Sequence, residues 1–570
     1  MRKSLFVRHM VLPAALCWLL VSCHSGPPKT DVAKNVQSLN ERVEKDIGTY
    51  VSFFESHKGK MPGEQGDTIE IHQYSAVGLF YANRHNRAAW SDTGRLLPQA
   101  DSLLDIISGS EDDGLNPAWY HGPSLRTLTR QVKTDSTARR DAIKWSTVDI
   151  LLTDAFMRLA GDLHYGLLPP DSISLQKGTA YSDSTVIGML TGAIRHGNVR
   201  KTVDSLRPQG RQYRWLSRGM DAYRRKYAGR SWDTLPVKYS DTPVFRRQLA
   251  QRLVEGGALD SSAVHSAAAV TGALKAFQRS HGLYPDGVAG TRTVAALNLS
   301  KSYRLRQIAV NLERWRHVGD SLPQEYVWIN IPSYRMEVWD HDSVVITSKV
   351  IVGKPGHETP LLNSRLTNYQ LYPYWRVPIS IIAKEMLPAI RRDTGYLRKH
   401  NLEVVDRHNN IVDPSRLQWN KYNRHYFPYV MRQMTGLDNS LGIIKFNFRN
   451  KYSVYLHDTN LRNLFNMAQR DISHGCVRVQ RWDTLAMYLI RGDTLRHMRD
   501  SVLWWLATQQ QKWVPLRTRV PVYTRYFTCA ADSTGKITFY PDVYGYDTVM
   551  MHKMFRRTAE KYLPFASADR

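Results

Sequence analysis

The stretch Ser473-His474-Gly475-Cys476-Val477-Arg478, taken with Tyr455-Leu456-His457-Asp458-Thr459 upstream, decides how the chain is read. A cysteine stands directly behind a histidine and a glycine, and a second histidine ends a strand-like run. A thiol attacks well only as a thiolate, and its ordinary pKa is about 8.5, so a base or a positive charge must stand near it. Gly475 lets the backbone turn sharply and lets a substrate come close. The backbone N–H groups of Gly475 and Cys476, helped by Tyr455, are expected to face the oxyanion of an attacked carbonyl. His457 is the candidate general base and His474 a supporting group. Ser473 is expected to hold the loop by hydrogen bonding, beside the substrate. Arg478 stands where it would pair with a substrate carboxylate or form a structural ion pair.

Outward from this stretch the period is two. Val327, Ile329 and Ile331 alternate with Trp328 and Asn330, Pro332-Ser333 turns the chain, and Tyr334 to Trp339 returns it as a hairpin. Val344 to Val352 reads as a strand ending at Gly353-Lys354-Pro355-Gly356. Tyr369 to Val377 is extended and aromatic. Gly442–Phe448 and Tyr452–His457 form a further pair. Beyond Cys476, Asp483 is expected to cap a helix carrying Leu485, Leu489 and Ile490, which puts Cys476 on a loop-to-helix approach. Val520–Cys529 and Lys536–Tyr540 read as a hairpin closed by Asp532-Ser533-Thr534-Gly535, packed on the same domain. Cys529 reads as a strand residue without a catalytic role.

The first half is helical. Ile150, Leu151, Leu152, Ala155, Phe156 and Leu159 recur at helical spacing, and Asp113-Gly114-Leu115-Asn116-Pro117 and Gly166-Leu167-Leu168-Pro169-Pro170 stop the helices. His121 and His164 read as structural residues. From Phe245 to Leu299 a small unit appears, with Val270, Leu274 and Phe277 on one helical face, a turn at Pro285-Asp286-Gly287, and a last helix that Thr291 would cap. Leu305 to Trp315 is a connecting helix.

At 570 residues several domains are expected. A net charge of +27 fits nucleic acid, an anionic membrane surface or an acidic polymer as partner. The Lys and Arg residues are spread along the chain with no nucleic-acid motif, so nucleic acid is not an expected partner. Cys17, Cys23, Cys476 and Cys529 are too few for a disulfide framework. Arg2, Lys3 and Arg8 precede an apolar run from Met10 to Val21 and then Leu20-Val21-Ser22-Cys23. That order is a secretory signal, too short for a bilayer-spanning helix. Its ending resembles a lipobox, which would lipidate Cys23.

The order His, gap, Ser-His-Gly-Cys, Arg resembles the L,D-transpeptidase (YkuD-type) catalytic motif, in particular the large scaffold-bearing Gram-negative members. Asn330-Ile331-Pro332-Ser333-Tyr334, Val352-Gly353-Lys354-Pro355, Tyr374-Trp375-Arg376-Val377-Pro378 and Asn439-Ser440-Leu441-Gly442 with Lys445-Phe446 carry the same likeness. Phe245–Leu299 resembles a three-helix peptidoglycan-binding module. Met434-Thr435-Gly436-Leu437 departs from relatives that are richer in proline, which leaves open the shape of that junction.

The resemblance implies a multidomain α+β chain: signal peptide 1–22, tether 23–45, helical scaffold domain 46–241 and peptidoglycan-binding-like module 242–300. A connecting helix 301–325 would follow, then a mainly antiparallel β catalytic domain 326–510 with a lid insertion 378–438, and a C-terminal β-hairpin segment 511–570. It implies 3→3 cross-linking of peptidoglycan stem peptides through a Cys476 thioester. Neither cofactor nor metal is required, and a thiolate needs no zinc. Expected partners are the donor tetrapeptide and acceptor stems, a membrane through the lipid, and other wall synthases. The expected location is the cell envelope, facing the periplasm. An L,D-carboxypeptidase or hydrolase using the same cysteine, and a non-catalytic wall anchor, are the alternatives. A sortase-like enzyme would carry Thr-Leu-x-Thr-Cys, which this site lacks.

Overall fold

The computed structural model describes residues 30–556 apart from 36, 64–65, 172–173, 176–179, 237–241, 321 and 494–498. The signal peptide, Cys23 and the start of the tether lie outside the described residues. No helix among the described residues is long and apolar enough to cross a membrane.

Helix Gln37–Ser56 opens the scaffold inside the stretch expected to be tether. Leu39, Val43 and Ile47 fall on one face at four-residue spacing and are buried in the scaffold core. The ordered scaffold therefore starts before residue 46, because an apolar stripe cannot stay in water. Ala142–Tyr165 is the central helix, buried on most of its faces. Its Asp149 and Asp154 are buried but hydrogen-bonded, Asp154 to the His121 ring at 2.7 Å. His121 is thus structural, as expected.

Helices Pro243–Glu255, Ala267–Ser280 and Thr291–Leu297 form the small module around Leu253, Leu274, Val294 and Leu297. Gly287 has φ +79°, and its N–H donates to Gln278 Oε1, which fixes the turn. Gly290, not Thr291, holds the N-cap position of the last helix. The connecting helix Lys301–Val318 is no linker: Leu305, Ile308, Ala309 and Leu312 sit in the scaffold core.

The catalytic half is built from strands β1 (Glu325–Asn330), β2 (Arg335–Asp340), β3 (Ser343–Gly353), β4 (Leu362–Leu371), β5 (Trp375–Arg376), β6 (Leu402–Val405), β7 (Ile411–Val412), β8 (Val430–Gln433), β9 (Ile444–Phe448), β10 (Leu456–His457), β11 (Asp471–Ser473), β12 (Val477–Val479), β13 (Lys512–Pro515) and β14 (Pro521–Arg525). The main sheet runs β9-β10-β12-β3-β2-β1-β14-β4-β13, with β11 beside β3. A further β9–β4 pairing closes the path into a ring around Val327, Val350, Phe446, Leu456 and Val477. β5 to β8 form a separate sheet that, with helix Leu387–Arg392, builds the insertion around Ile390, Val404 and Met431. At its base the Asn439 side chain binds the carbonyls of Pro373 and Met434, which ties the two stems of the insertion together at the junction left open by the sequence.

Two C-terminal expectations need correction. The chain after 510 is not a hairpin laid on a finished domain. β14 lies between β1 and β4, parallel to β1, and every residue of it is buried. The hairpin is Cys529–Ala531 with Ile537–Phe539, and it packs on the scaffold instead: Cys529 and Phe539 belong to the scaffold core, as do Met551, Met554 and Phe555 of helix Tyr546–Phe555. Polar pairing holds it there. Asn311 exchanges hydrogen bonds with Thr528 at 2.7 and 2.9 Å, and Arg314 meets buried Asp547 at 2.6 Å. On the module side, His281 stacks on Phe539. A chain ending at Gln510 is therefore expected not to fold. Losing a fully buried strand exceeds the whole stability of a domain, about 5–15 kcal/mol. Circular dichroism and size-exclusion chromatography of the truncated protein would check this.

Candidate active site

The site starts from pairing. β10 and β12 are adjacent and parallel, with Leu456 opposite Val477 and His457 opposite Arg478. Side chains alternate across a sheet, so the burial of Leu456 and Val477 in the core sends Tyr455, His457, Cys476 and Arg478 to the other face together. β9 pairs with β10 so that Lys445 stands opposite His457, and the core position of Phe446 puts Lys445 on that same face. Cys476 thus sits directly before a strand, not on a loop-to-helix approach. The helix follows later, at Trp482–Leu489, with Arg481 at its N-cap position and Asp483 inside its first turn. A cavity of about 540 Å³ opens over this face, between it and the insertion.

The Ser-His-Gly-Cys loop is held from inside. Ser473 is buried; its hydroxyl donates to the Cys476 carbonyl at 2.7 Å and accepts from the Gly475 N–H at 3.1 Å. Thr359 Oγ1 donates to the Gly475 carbonyl at 2.9 Å. Gly475 has φ +111°, a region that L side chains rarely adopt. One expectation changes here. The Gly475 N–H is spent on Ser473, so of the two expected oxyanion donors the Cys476 N–H is the one without a partner among the described residues. Ser473 staples the loop with its hydroxyl and also lines the cavity.

Burial pushes the Cys476 thiol up, while the Tyr455 backbone and hydroxyl, Lys445 and Arg478 pull it back down. Burial holds the Tyr455 phenol well above its ordinary range, and the thiol beside it adds to this, so the hydroxyl keeps its proton. Burial, then the charges of Arg478 and Lys445, push His457 down to about 3. The imidazole is neutral at any physiological pH, and its Nδ1 is buried without a partner. A neutral ring can accept a proton, whereas an imidazolium cannot. Arg478 makes no ion pair with an acid among the described residues, and its Nε is buried without a partner. That disfavours the structural ion pair.

Three family models match the chain: a scaffold domain over 75–220, a candidate peptidoglycan-binding domain over 245–297, and the L,D-transpeptidase catalytic domain over 324–495. The catalytic half of the chain therefore matches the L,D-transpeptidase catalytic domain. A candidate L,D-transpeptidase of Haemophilus influenzae is 36% identical over 242 residues, 42% of this chain and 48% of that one. The chain thus spans about half the length of this curated relative. Crystal structures of L,D-transpeptidases from Stackebrandtia nassauensis and of L,D-transpeptidase 1 from Mycobacterium tuberculosis are both 12% identical to it. The first covers 52% of this chain and 97% of its own at a TM-score of 0.20, the second 36% and 68% at 0.14. Overlaps that loose say nothing about the fold.

His474 points away from the expected role beside the sulfur. Its Nε2 lies 2.7 Å from Glu385 Oε1 on the insertion, and its ring meets the His357 ring edge-on at 5.2 Å. Glu385 lies in a short π-helix, Ile382–Met386, a form common at functional sites. Trp375, at the base of the insertion, hydrogen-bonds the Tyr455 hydroxyl. The insertion is therefore tied to the site at two points. Lys445, Glu385 and Trp375 stood in segments read as family phrases or lid, and the sequence carried no sign of their roles. A half-exposed pair such as His474–Glu385 is worth roughly 0.2–1 kcal/mol. Glu385→Ala is expected to speed amide exchange across Ile379–Arg392 up to about fivefold, read by hydrogen-exchange mass spectrometry.

Proposed function

We propose that the chain is a peptidoglycan L,D-transpeptidase that makes 3→3 cross-links through a thioester on Cys476. The observation that carries this reading is the common face of Cys476, His457 and Tyr455 on adjacent parallel strands. His457 takes the Sγ proton as Sγ attacks the carbonyl of the third residue of a donor tetrapeptide. The Cys476 N–H and the Tyr455 hydroxyl stabilise the oxyanion. The C–N bond to the terminal D-alanine breaks, and the proton passes from His457 to the leaving amine. The side-chain amine of an acceptor stem then attacks the thioester and gives its proton to His457. The C–S bond breaks and the sulfur recovers a proton.

Arg478 binds a carboxylate of the stem. That anion offsets the charge that depresses His457, so the base strengthens when substrate is present. The insertion acts as a lid that keeps water from the thioester. Lipid at Cys23 would tether the enzyme to a membrane of the cell envelope, where the small module meets the wall and other synthases supply strands.

The test is intact-protein mass spectrometry after incubation with purified disaccharide-tetrapeptide, with the muropeptides analysed. An adduct on Cys476 with 3→3 dimers is expected. Tripeptide alone would make the enzyme a carboxypeptidase. No adduct and no product from folded protein would leave a wall-binding anchor.

A further inference from the structure

Lys445 is a cation of the site face that no acid among the described residues balances. Register places it opposite His457, and its Nζ lies 4.2 Å from the centre of the Tyr455 ring, whose hydroxyl bonds the Cys476 sulfur. Among the described residues its ammonium makes neither a hydrogen bond nor an ion pair. The charged and titratable groups nearest the sulfur come from several elements: Lys445 from β9, Tyr455 and His457 from β10, Arg478 from β12 and Arg376 from β5. His474, His357, Glu385, Tyr396, His400 and Tyr452 also line the cavity. Glu385 is the one carboxylate of this set, and it is engaged by His474.

A partly buried ammonium without a counter-ion is costly. The group in this set that can turn anionic beside it is the Cys476 thiol. The coupling runs both ways: burial and Arg376 press the Lys445 ammonium toward deprotonation, and Cys476 opposes them.

We propose that Lys445 balances the negative charge of the activated Cys476 sulfur, so that a cation from a third strand, not a protonated His457, stabilises the thiolate. This rests on Cys476 as the nucleophile. His457 is then a carrier that holds the proton only between sulfur and leaving group. Lys445 is a positioning residue for charge, acting through the sulfur it faces.

The test is the pH dependence of iodoacetamide alkylation at Cys476, followed by peptide mass spectrometry on the full chain without substrate. In alkylation the sulfur displaces iodide and carries the carboxamidomethyl group, so the rate reports the thiolate fraction. Lys445→Met keeps the aliphatic contact with Tyr455. It is expected to raise the midpoint by about one pH unit, roughly tenfold slower alkylation below both midpoints. Lys445→Arg should restore the wild-type profile, and His457→Asn should move it less than Lys445→Met. Superimposable profiles for Lys445→Met and wild type, or a larger shift from His457→Asn, would overturn the proposal. Where thermal melting shows Lys445→Met to be misfolded, Lys445→Gln replaces it under the same criteria. Alkylation needs no peptidoglycan, so a missing cross-link product with an intact Lys445 effect would sink the proposed reaction and leave this inference standing.

Discussion

Cys476→Ala is expected to abolish both the thioester adduct and the cross-linked product, a loss of about four to six orders of magnitude in turnover. The size follows from covalent catalysis. Without the sulfur no acyl-enzyme forms, and the remaining oxyanion donor and binding groups accelerate attack only weakly. The fold should not change. Val477 anchors the strand in the core, and Ser473 holds the turn through the Cys476 carbonyl, which alanine keeps. A melting temperature equal to wild type, with no adduct by intact mass, is the expected pair of results. Cys476→Ser should behave in the same way, because a neutral imidazole as depressed as His457 is a poor base for a hydroxyl.

His457→Gln is expected to slow thioester formation by about two to four orders of magnitude, the usual worth of a positioned general base. Single-turnover mass spectrometry would measure it. The same substitution should leave a signature on stability. With His457 pushed from 6.5 to about 3, the unfolded chain binds a proton that the folded chain refuses in that window. Stability then rises with pH and is lost as pH falls below about 6.5. The slope is at most about 1.4 kcal/mol per pH unit, and Gln removes this contribution. Urea unfolding between pH 7 and pH 4 should show a shallower acid loss in the variant, and equal slopes would refute the buried neutral imidazole.

Much of the catalytic half was legible in the order of its residues. Alternation at Val327, Ile329 and Ile331 gave the β1–β2 hairpin, and the order of His457, Ser473, His474, Gly475 and Cys476 marked the candidate nucleophile and its candidate base. Local rules suffice there, because side-chain period and turn chemistry act over a few residues. The helical stripe of Leu39, Val43 and Ile47 was equally visible in principle, but polar neighbours made it read as tether.

Other features depend on contacts between distant segments. β14 joins the sheet parallel to β1, almost two hundred positions away, and a strand buried on both faces shows no alternation to mark its neighbours. The Gly475 N–H was lost as an oxyanion donor because Ser473, two residues back, turns its hydroxyl inward, a rotamer choice set by tertiary packing. Lys445 and Glu385 are ordinary surface types in sequence; strand register brings one beside Tyr455, and the folded insertion brings the other onto His474.

The sequence by itself therefore determined the domain order, the strand and helix periods, and which thiol and imidazole are the candidates for the chemistry, since these follow from residue type and spacing. Only the tertiary structure decided which backbone donor stays free, which cations surround the sulfur and what the C-terminal segment completes. Those depend on register between segments far apart in the chain, and no local pattern encodes the distance between them.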